Sequence, residues 1–378
     1  MSAGCDHQLW RPPDVLPAGL RPRRPPVWPL WEAGLISARL HWLIGIGIVI
    51  VAAVLPFVFS NFTTSQILTR ALILGLAAAS LIFLASLGGW VSLAQLGLYG
   101  VAGFTVGNLV QADGGAKVFA MDIWLASLLA LVVTVLVGLL IGVIASRSEG
   151  IYFLMITLAF GVIIKLLFEK ATDLSGFGGI NQIIQPAVLG SAQLDPERIY
   201  WVCLAICVLV YLGIRYFAHT PFGLAFQGIR DNTPRMRALG YNVTLIRTVA
   251  FGIAAFIAGL AGVLNVWWNT QISPGTIDIG PVIFLLMIAI IGGLYRIEGA
   301  WVGALIYVIL DNRLRSVDLV GERVATALGI VFLLIVLLSP GGVMGIYKSL
   351  ASRWRRSRSE SGAARDGDGT AAPTVAGD

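Results

Sequence analysis

Arginine gathers in one internal stretch of this chain, Thr220 to Val243, which reads TPFGLAFQGIRDNTPRMRALGYNV. It holds Arg230, Arg235 and Arg237, with Arg215 and Arg247 at its shoulders. The stretch is punctuated as a helix rather than as a slack turn. Thr233 is placed to cap, Pro234 takes the first helical position, where its missing N–H costs nothing, and Gly240 closes the turn in a left-handed conformation. Such a helix would offer Met236 and Leu239 to an apolar groove and Arg235 and Arg237 to its rim, and so act as a rigid lever toward a soluble partner. The competing reading is a positively charged topology anchor with no partner.

A second set of residues places polar groups inside otherwise apolar runs, where leaving them in lipid is costly. Ser92 and Gln95 are three apart on one predicted helix face; Thr157 lies in a later run; Asn265 and Asn269 are one turn apart in another. These five are candidates for lining a solute route, with interhelical hydrogen bonds as the competing explanation. Lys165 and Glu169 are four apart and read as a local ion pair with a snorkelling lysine.

Other chemistry lacks its parts. His7, His41 and His219 are scattered, and no local spacing joins them into a metal site. No H-E-x-x-H, G-x-S-x-G or G-x-x-x-x-G-K-[ST] occurs, so neither a zinc or serine hydrolase centre nor a phosphate cradle for ATP is expected in this chain. Cys203 and Cys207, one turn apart in an apolar run, read as packing. No cofactor or metal is expected.

The elements that must position these residues are membrane spans. Hydrophobic residues make up 57% of 378 residues and charged residues only 12%, too few charges to cover a water-soluble surface. The net charge of +6 sits in two tails and a few connections, with no basic stripe interleaved with stacking aromatics, so lipid headgroups rather than nucleic acid are the expected contact. Apolar runs long enough for roughly 30 Å of hydrocarbon are Trp42–Phe59, Ile67–Leu87, Val91–Val110, Ile123–Ile144, Tyr152–Phe168, Ile199–Phe217, Ile246–Trp268, Val282–Leu294, Trp301–Leu310 and Val324–Leu338. The eighth and ninth are short and glycine-rich, whole helices or a broken one. The fold class is therefore an all-α polytopic bundle of about eight to ten transmembrane helices, with broken or re-entrant helices among the alternatives.

Residues 1–40 and 341–378 read as polar cytoplasmic tails, the first of them disordered, around a membrane body at 41–340 whose cytoplasmic connection is 218–245. Arg21, Arg23, Arg24, Arg39, Arg147 and the final arginine cluster set that orientation; Arg313 and Arg315 oppose it, with Asp311, Asp318 and Glu322 close by.

Four segments together resemble a known family, the permease subunits of branched-chain amino acid ABC importers of the high-affinity leucine/isoleucine/valine uptake type. They are GGWVSLAQLGLYGVAGF (Gly88 to Phe104), GIYFLMITLAFGVIIK (Gly150 to Lys165) with LSGFGGI (Leu174 to Ile180), the arginine stretch continuing into AFGIAAFIAGLAGVL (Ala250 to Leu264), and IGGLYRIEGAWVGA (Ile291 to Ala304). They follow one another in the family's order. Tyr295 stands where the last signature has a third glycine, and Ala300 where it has proline.

The resemblance implies an inner-membrane permease working by alternating access. Its partners would be a second related permease, two ABC ATPase subunits that burn the ATP, and an extracytoplasmic solute-binding protein. Arg230, Asp231, Pro234, Arg235, Met236, Arg237, Leu239 and Gly240 would couple this chain to the ATPases. Permeases for urea or short amides share the pattern, so the solute stays open at this point. The rival class is an ion-coupled secondary transporter; spans nearly free of Asp, Glu and Lys at mid-depth speak against proton coupling but not against sodium.

Overall fold

Unbroken apolar runs have one way to satisfy their backbone without water, and the chain takes it. The structure is a computed structural model describing residue 56 and residues 64–110, 121–171, 175, 178–186, 196–315 and 324–338. Those residues form eleven α-helices and no strand, beyond a single antiparallel bridge between Ile180 and Ile272. The tails 1–40 and 341–378, and the first expected span except Pro56, lie outside the described residues.

Three helices make the interior. α1 (Arg70–Phe83) is extended by π-helical turns Thr64–Thr69 and Leu84–Gly88. The resulting apolar span, Gln66–Gly88, is 89% buried, and α8 (Val243–Asn269) is 78% buried. Between them α2 (Gln95–Leu109) is enclosed on nearly all sides. It can be enclosed because its glycine face admits neighbours: Ile277 sits against Gly100, Ile272 against Gly103 and Ile180 against Gly107. Ile180 and Ile272 hold these loops together through paired backbone bonds of 2.8 and 2.9 Å.

α3 (Ile123–Ala145), α4 (Ile151–Lys170) and α5 (Pro196–His219) flank this core, with only 33%, 28% and 28% of their apolar windows buried. Leu128, Val132, Leu136 and Leu140 repeat every fourth residue on α3 and stand exposed. An apolar stripe of that length belongs in hydrocarbon. The protein is a multi-pass membrane protein.

α6 (Pro221–Asp231) and α7 (Thr233–Ala238) are short and lie between α5 and α8. α9 (Ile279–Gly292) and α10 (Gly299–Arg315) are two separate helices and form a hairpin. Gly299 meets the backbone of Gly292, and Gly303 that of Ile288, so the two run antiparallel at backbone contact. Trp301, just past the turn, packs on Gly75 of α1. α10 also carries Asp311, 1% exposed, which accepts from Arg70 and Arg315 at 3.0 Å each and ties α10 to α1. Arg315 thus has a carboxylate partner within its own helix. α11 (Val324–Leu338) packs against this hairpin.

One expectation changes here. The run Val91–Val110 is not helical throughout: α2 begins at Gln95, and the chain from Gly89 to Ala94 turns. Ser92 therefore precedes the helix instead of sharing a helix face with Gln95.

Candidate functional site

The arginine stretch is an ordered elbow of two helices. Thr220 caps α6, its hydroxyl accepting from the Gly223 N–H at 3.2 Å, with Pro221 at the first position. The apolar face of α6 (Gly223, Ala225, Phe226 and Ile229) points into the bundle. Phe226 is fully buried, its ring between Phe83 at 6.2 Å and Trp90 at 5.6 Å. It fills the notch at Gly88, where any β-carbon would collide with the ring. Arg230 lies beside Gly89 and donates to the Ser86 carbonyl at 2.6 Å, and also to Asp231 at 3.0 Å. Gly88, Gly89 and Trp90 are thus the seat of the elbow, although they lie far from it in the chain.

α7 is capped by Asn232, whose side chain accepts from the Arg235 N–H at 3.0 Å. This corrects the reading of Thr233 as the cap. Thr233 is already helical and donates to the Ile229 carbonyl at 2.8 Å, so Pro234 follows the first helical residue. Asn232 takes the cap because its backbone is extended (φ −157°), as a cap requires, and aims the amide oxygen at the free N–H groups, whereas Thr233 is already helical. Gly240 ends the helix as expected, with φ +85°, and the Tyr241 N–H reaches back to the Met236 carbonyl. Met236 packs its sulfur on Gly228 and closes the angle between α6 and α7. Arg235, Arg237 and Leu239 face outward, and Leu224, Tyr241 and Leu245 add exposed apolar area beside them.

The residue that fastens the elbow is one that motif reading passes over. Arg247, in the first turns of α8, is 4% exposed. Its guanidinium lies 4.2 Å from the centre of the Trp90 ring and donates to the Ser146 carbonyl at 3.1 Å, Glu149 at 2.9 Å and Thr233 at 3.4 Å. Glu149 also faces Arg237 at 4.0 Å. One cation therefore joins α8, the α3–α4 turn, the start of α7 and the seat at Trp90. An arginine inside an apolar run, costly unless paired, was the available signal.

The expected route residues divide into two places. Thr157, buried in α4, accepts from the Leu93 N–H at 3.2 Å, which puts it beside Ser92 and Gln95. Ser92 and Gln95 are 0% and 1% exposed, and neither side chain finds a hydrogen-bond partner among the described residues. Asn265 is buried and Asn269 exposed near the far end of α8, at the level of Gly103 rather than Gln95. They do not join the first group.

Lys165 forms the expected pair with Glu169, at 3.6 Å, but its closer partner is Asp278 at 2.9 Å, from the start of α9. The lysine hydrogen bond, and then the Ile279 N–H, hold the Asp278 carboxyl below its ordinary pKa. Among the described residues no group of three or more His, Cys, Asp or Glu is placed to hold a metal ion.

Fold and site together define a multi-pass helical membrane protein with one ordered, clamped, arginine-bearing elbow. The chain belongs to the branched-chain amino acid transport system permease component family, whose model matches residues 63–339. It is 25% identical over 342 residues to the high-affinity branched-chain amino acid transport system permease protein LivM of Salmonella typhimurium, covering 84% of this chain and 77% of that one. The protein of the same name from Escherichia coli is 25% identical over 323 residues, 79% of this chain and 74% of that one. A probable branched-chain amino acid transport permease protein LivM of Methanocaldococcus jannaschii is 27% identical over 60% of this chain and 65% of its own length. No solved structure matches the chain. The family is a transport component and not an enzyme.

Proposed function

We propose that this chain is a permease subunit of an ATP-binding-cassette importer that carries branched-chain or related amino acids across the cytoplasmic membrane. It pairs with a second, related permease; two ATPase subunits bind beneath the pair, and an extracytoplasmic binding protein delivers the solute. Both termini and the elbow face the cytoplasm, in keeping with the arginines of the tails and of the α3–α4 turn.

The observation that carries this reading is the elbow clamp. A mere topology anchor has no need of a buried aromatic plug at Phe226 and an enclosed arginine at Arg247. A lever does, because displacement of its outer surface must reach α1 and α8 without being lost in loop motion. The outward residues Arg235, Arg237 and Leu239 form the contact with the ATPase, and Gly240 fixes the direction of the chain as it leaves. Family membership supports the solute class, since the relatives are named for it.

The test uses the assembled complex in proteoliposomes with its binding protein. Reversing Arg235 and Arg237 to glutamate, or replacing Gly240 with valine, should abolish solute-stimulated ATP hydrolysis while the permease still inserts. Gly240 meets no neighbouring atom, so its variant tests backbone direction alone. Full stimulation in either variant removes the coupling role. Uphill uptake by this chain alone, driven by a sodium or proton gradient, would remove the importer reading.

A further inference from the structure

Lys165 lies fourteen residues into α4, within an apolar span of which only 28% is buried. An ammonium and two carboxylates gathered there cannot be left facing hydrocarbon; such groups face water or protein. Lys165 is 23% exposed, Glu169 24% and Asp278 44%, so the cluster opens outward from the bundle. Leu158, Val162, Ile277 and Val282 line a small cavity of about 60 Å³ directly beside Lys165 and Asp278. One Glu169 carboxylate oxygen, Oε2, is buried without a hydrogen-bond partner among the described residues, and Lys165 stands 3.6 Å from it.

The arrangement has three parts: a cation, a carboxylate oxygen short of a donor, and an aliphatic wall. An aliphatic amino acid presents their complements, namely a carboxylate, an ammonium with three N–H donors, and a branched hydrocarbon. We propose that Lys165, Glu169 and Asp278 form a contact site on the route for the charged head of an amino-acid zwitterion. Lys165 takes its carboxylate, Asp278 and Glu169 take its ammonium, and the cavity wall meets the start of the side chain. The cavity is too small to enclose a leucine-sized solute, which makes this a point of passage. Its energetics suit passage as well. The solute exchanges the two internal ion pairs of Lys165 for pairs of its own, so the balance stays near even and release is not slowed. This inference rests on the amino-acid importer reading above.

The rival explanation is a staple, an ion pair that only holds α4 to the start of α9. Two variants separate them, each measured as ATP-driven leucine uptake by the whole complex and as the melting temperature of that complex. Asp278→Asn keeps the helix cap, since asparagine caps as well as aspartate, and removes the charge. Lys165→Asp combined with Asp278→Lys keeps an ion pair across the same gap with its direction reversed, while giving up the cap on the Ile279 N–H, a loss the melting temperature reads. We expect uptake to fall at least tenfold in both, with the double variant melting within a few degrees of the parent. Uptake within twofold of the parent in either variant overturns the site. A double variant that melts like the parent and regains uptake assigns the cluster to a staple. If the parent complex itself does not accumulate leucine with ATP, the importer reading fails first, and the inference with it.

Discussion

Replacing Arg247 with glutamine removes the clamp while leaving a polar side chain of similar length. The guanidinium is 4% exposed, so its interactions are largely unscreened. Its bond to the Ser146 carbonyl is charge-assisted and worth about 1.5 kcal/mol. Stacking on Trp90 at 4.2 Å contributes about 1 kcal/mol in a desolvated setting. Glu149 is 59% exposed and regains water, so that bond counts for about 0.5 kcal/mol. The loss is about 3 kcal/mol in the clamp that joins the start of α8 to the α3–α4 turn and to Trp90, which raises its open fraction roughly a hundredfold; the elbow, held to the same guanidinium at Thr233, opens with it.

Two measurements follow this directly. Amide hydrogen exchange over residues 233–242 should accelerate by that order while the core of α8 stays protected. Solute moved per ATP hydrolysed should fall in the reconstituted complex, because ATPase motion is spent on a loose elbow. Arg247→Lys should recover less than half of the loss, since an ammonium neither stacks nor forks. Unaltered exchange and an unaltered transport ratio in Arg247→Gln would refute the clamp.

Two further outcomes rest on single contacts. Gly88→Ala drives a methyl group into the Phe226 ring and should destabilise the detergent-solubilised protein by about 1–3 kcal/mol, with Phe226→Leu as a second change restoring most of it; a Gly88→Ala protein of parental stability contradicts the seat. Gln95→Met removes two buried amide atoms that lack partners, which should raise the melting temperature while lowering uptake, and unchanged uptake removes Gln95 from the route.

Local punctuation was legible from residue types. Pro234 and Gly240 mark a helix start and a stop through their own backbone; Gly240 stands as read, and Pro234 falls one residue later than the first position because Thr233 is itself helical. The cap at Asn232 was missed because the adjacent Thr233 is also a capping type, and the choice turns on the backbone angles of the two residues. Long-range meaning was harder to see. Nothing near Gly88 and Gly89 in the chain marks what they meet, yet they seat Phe226 and Arg230 from a segment well over a hundred residues later. Lys165 had an obvious partner one turn away, which hid the nearer one at Asp278. The spans were legible because lipid imposes a length. The lengths of α9 and α10 were less so, because backbone contact at Gly292 and Gly299 depends on the neighbour each helix meets.

The enclosure of α2 bears on how the protein is made. At fifteen residues α2 rises only about 22 Å, short of roughly 30 Å of hydrocarbon. Its glycine face would be bare until the isoleucines of later loops arrive, and Ile272 and Ile277 are synthesised more than a hundred and sixty residues after it begins. During synthesis α2 therefore has no stable resting place in the bilayer by itself. It has to wait beside the translocation machinery, or shelter against α1, until α8 and the loop behind it emerge from the ribosome.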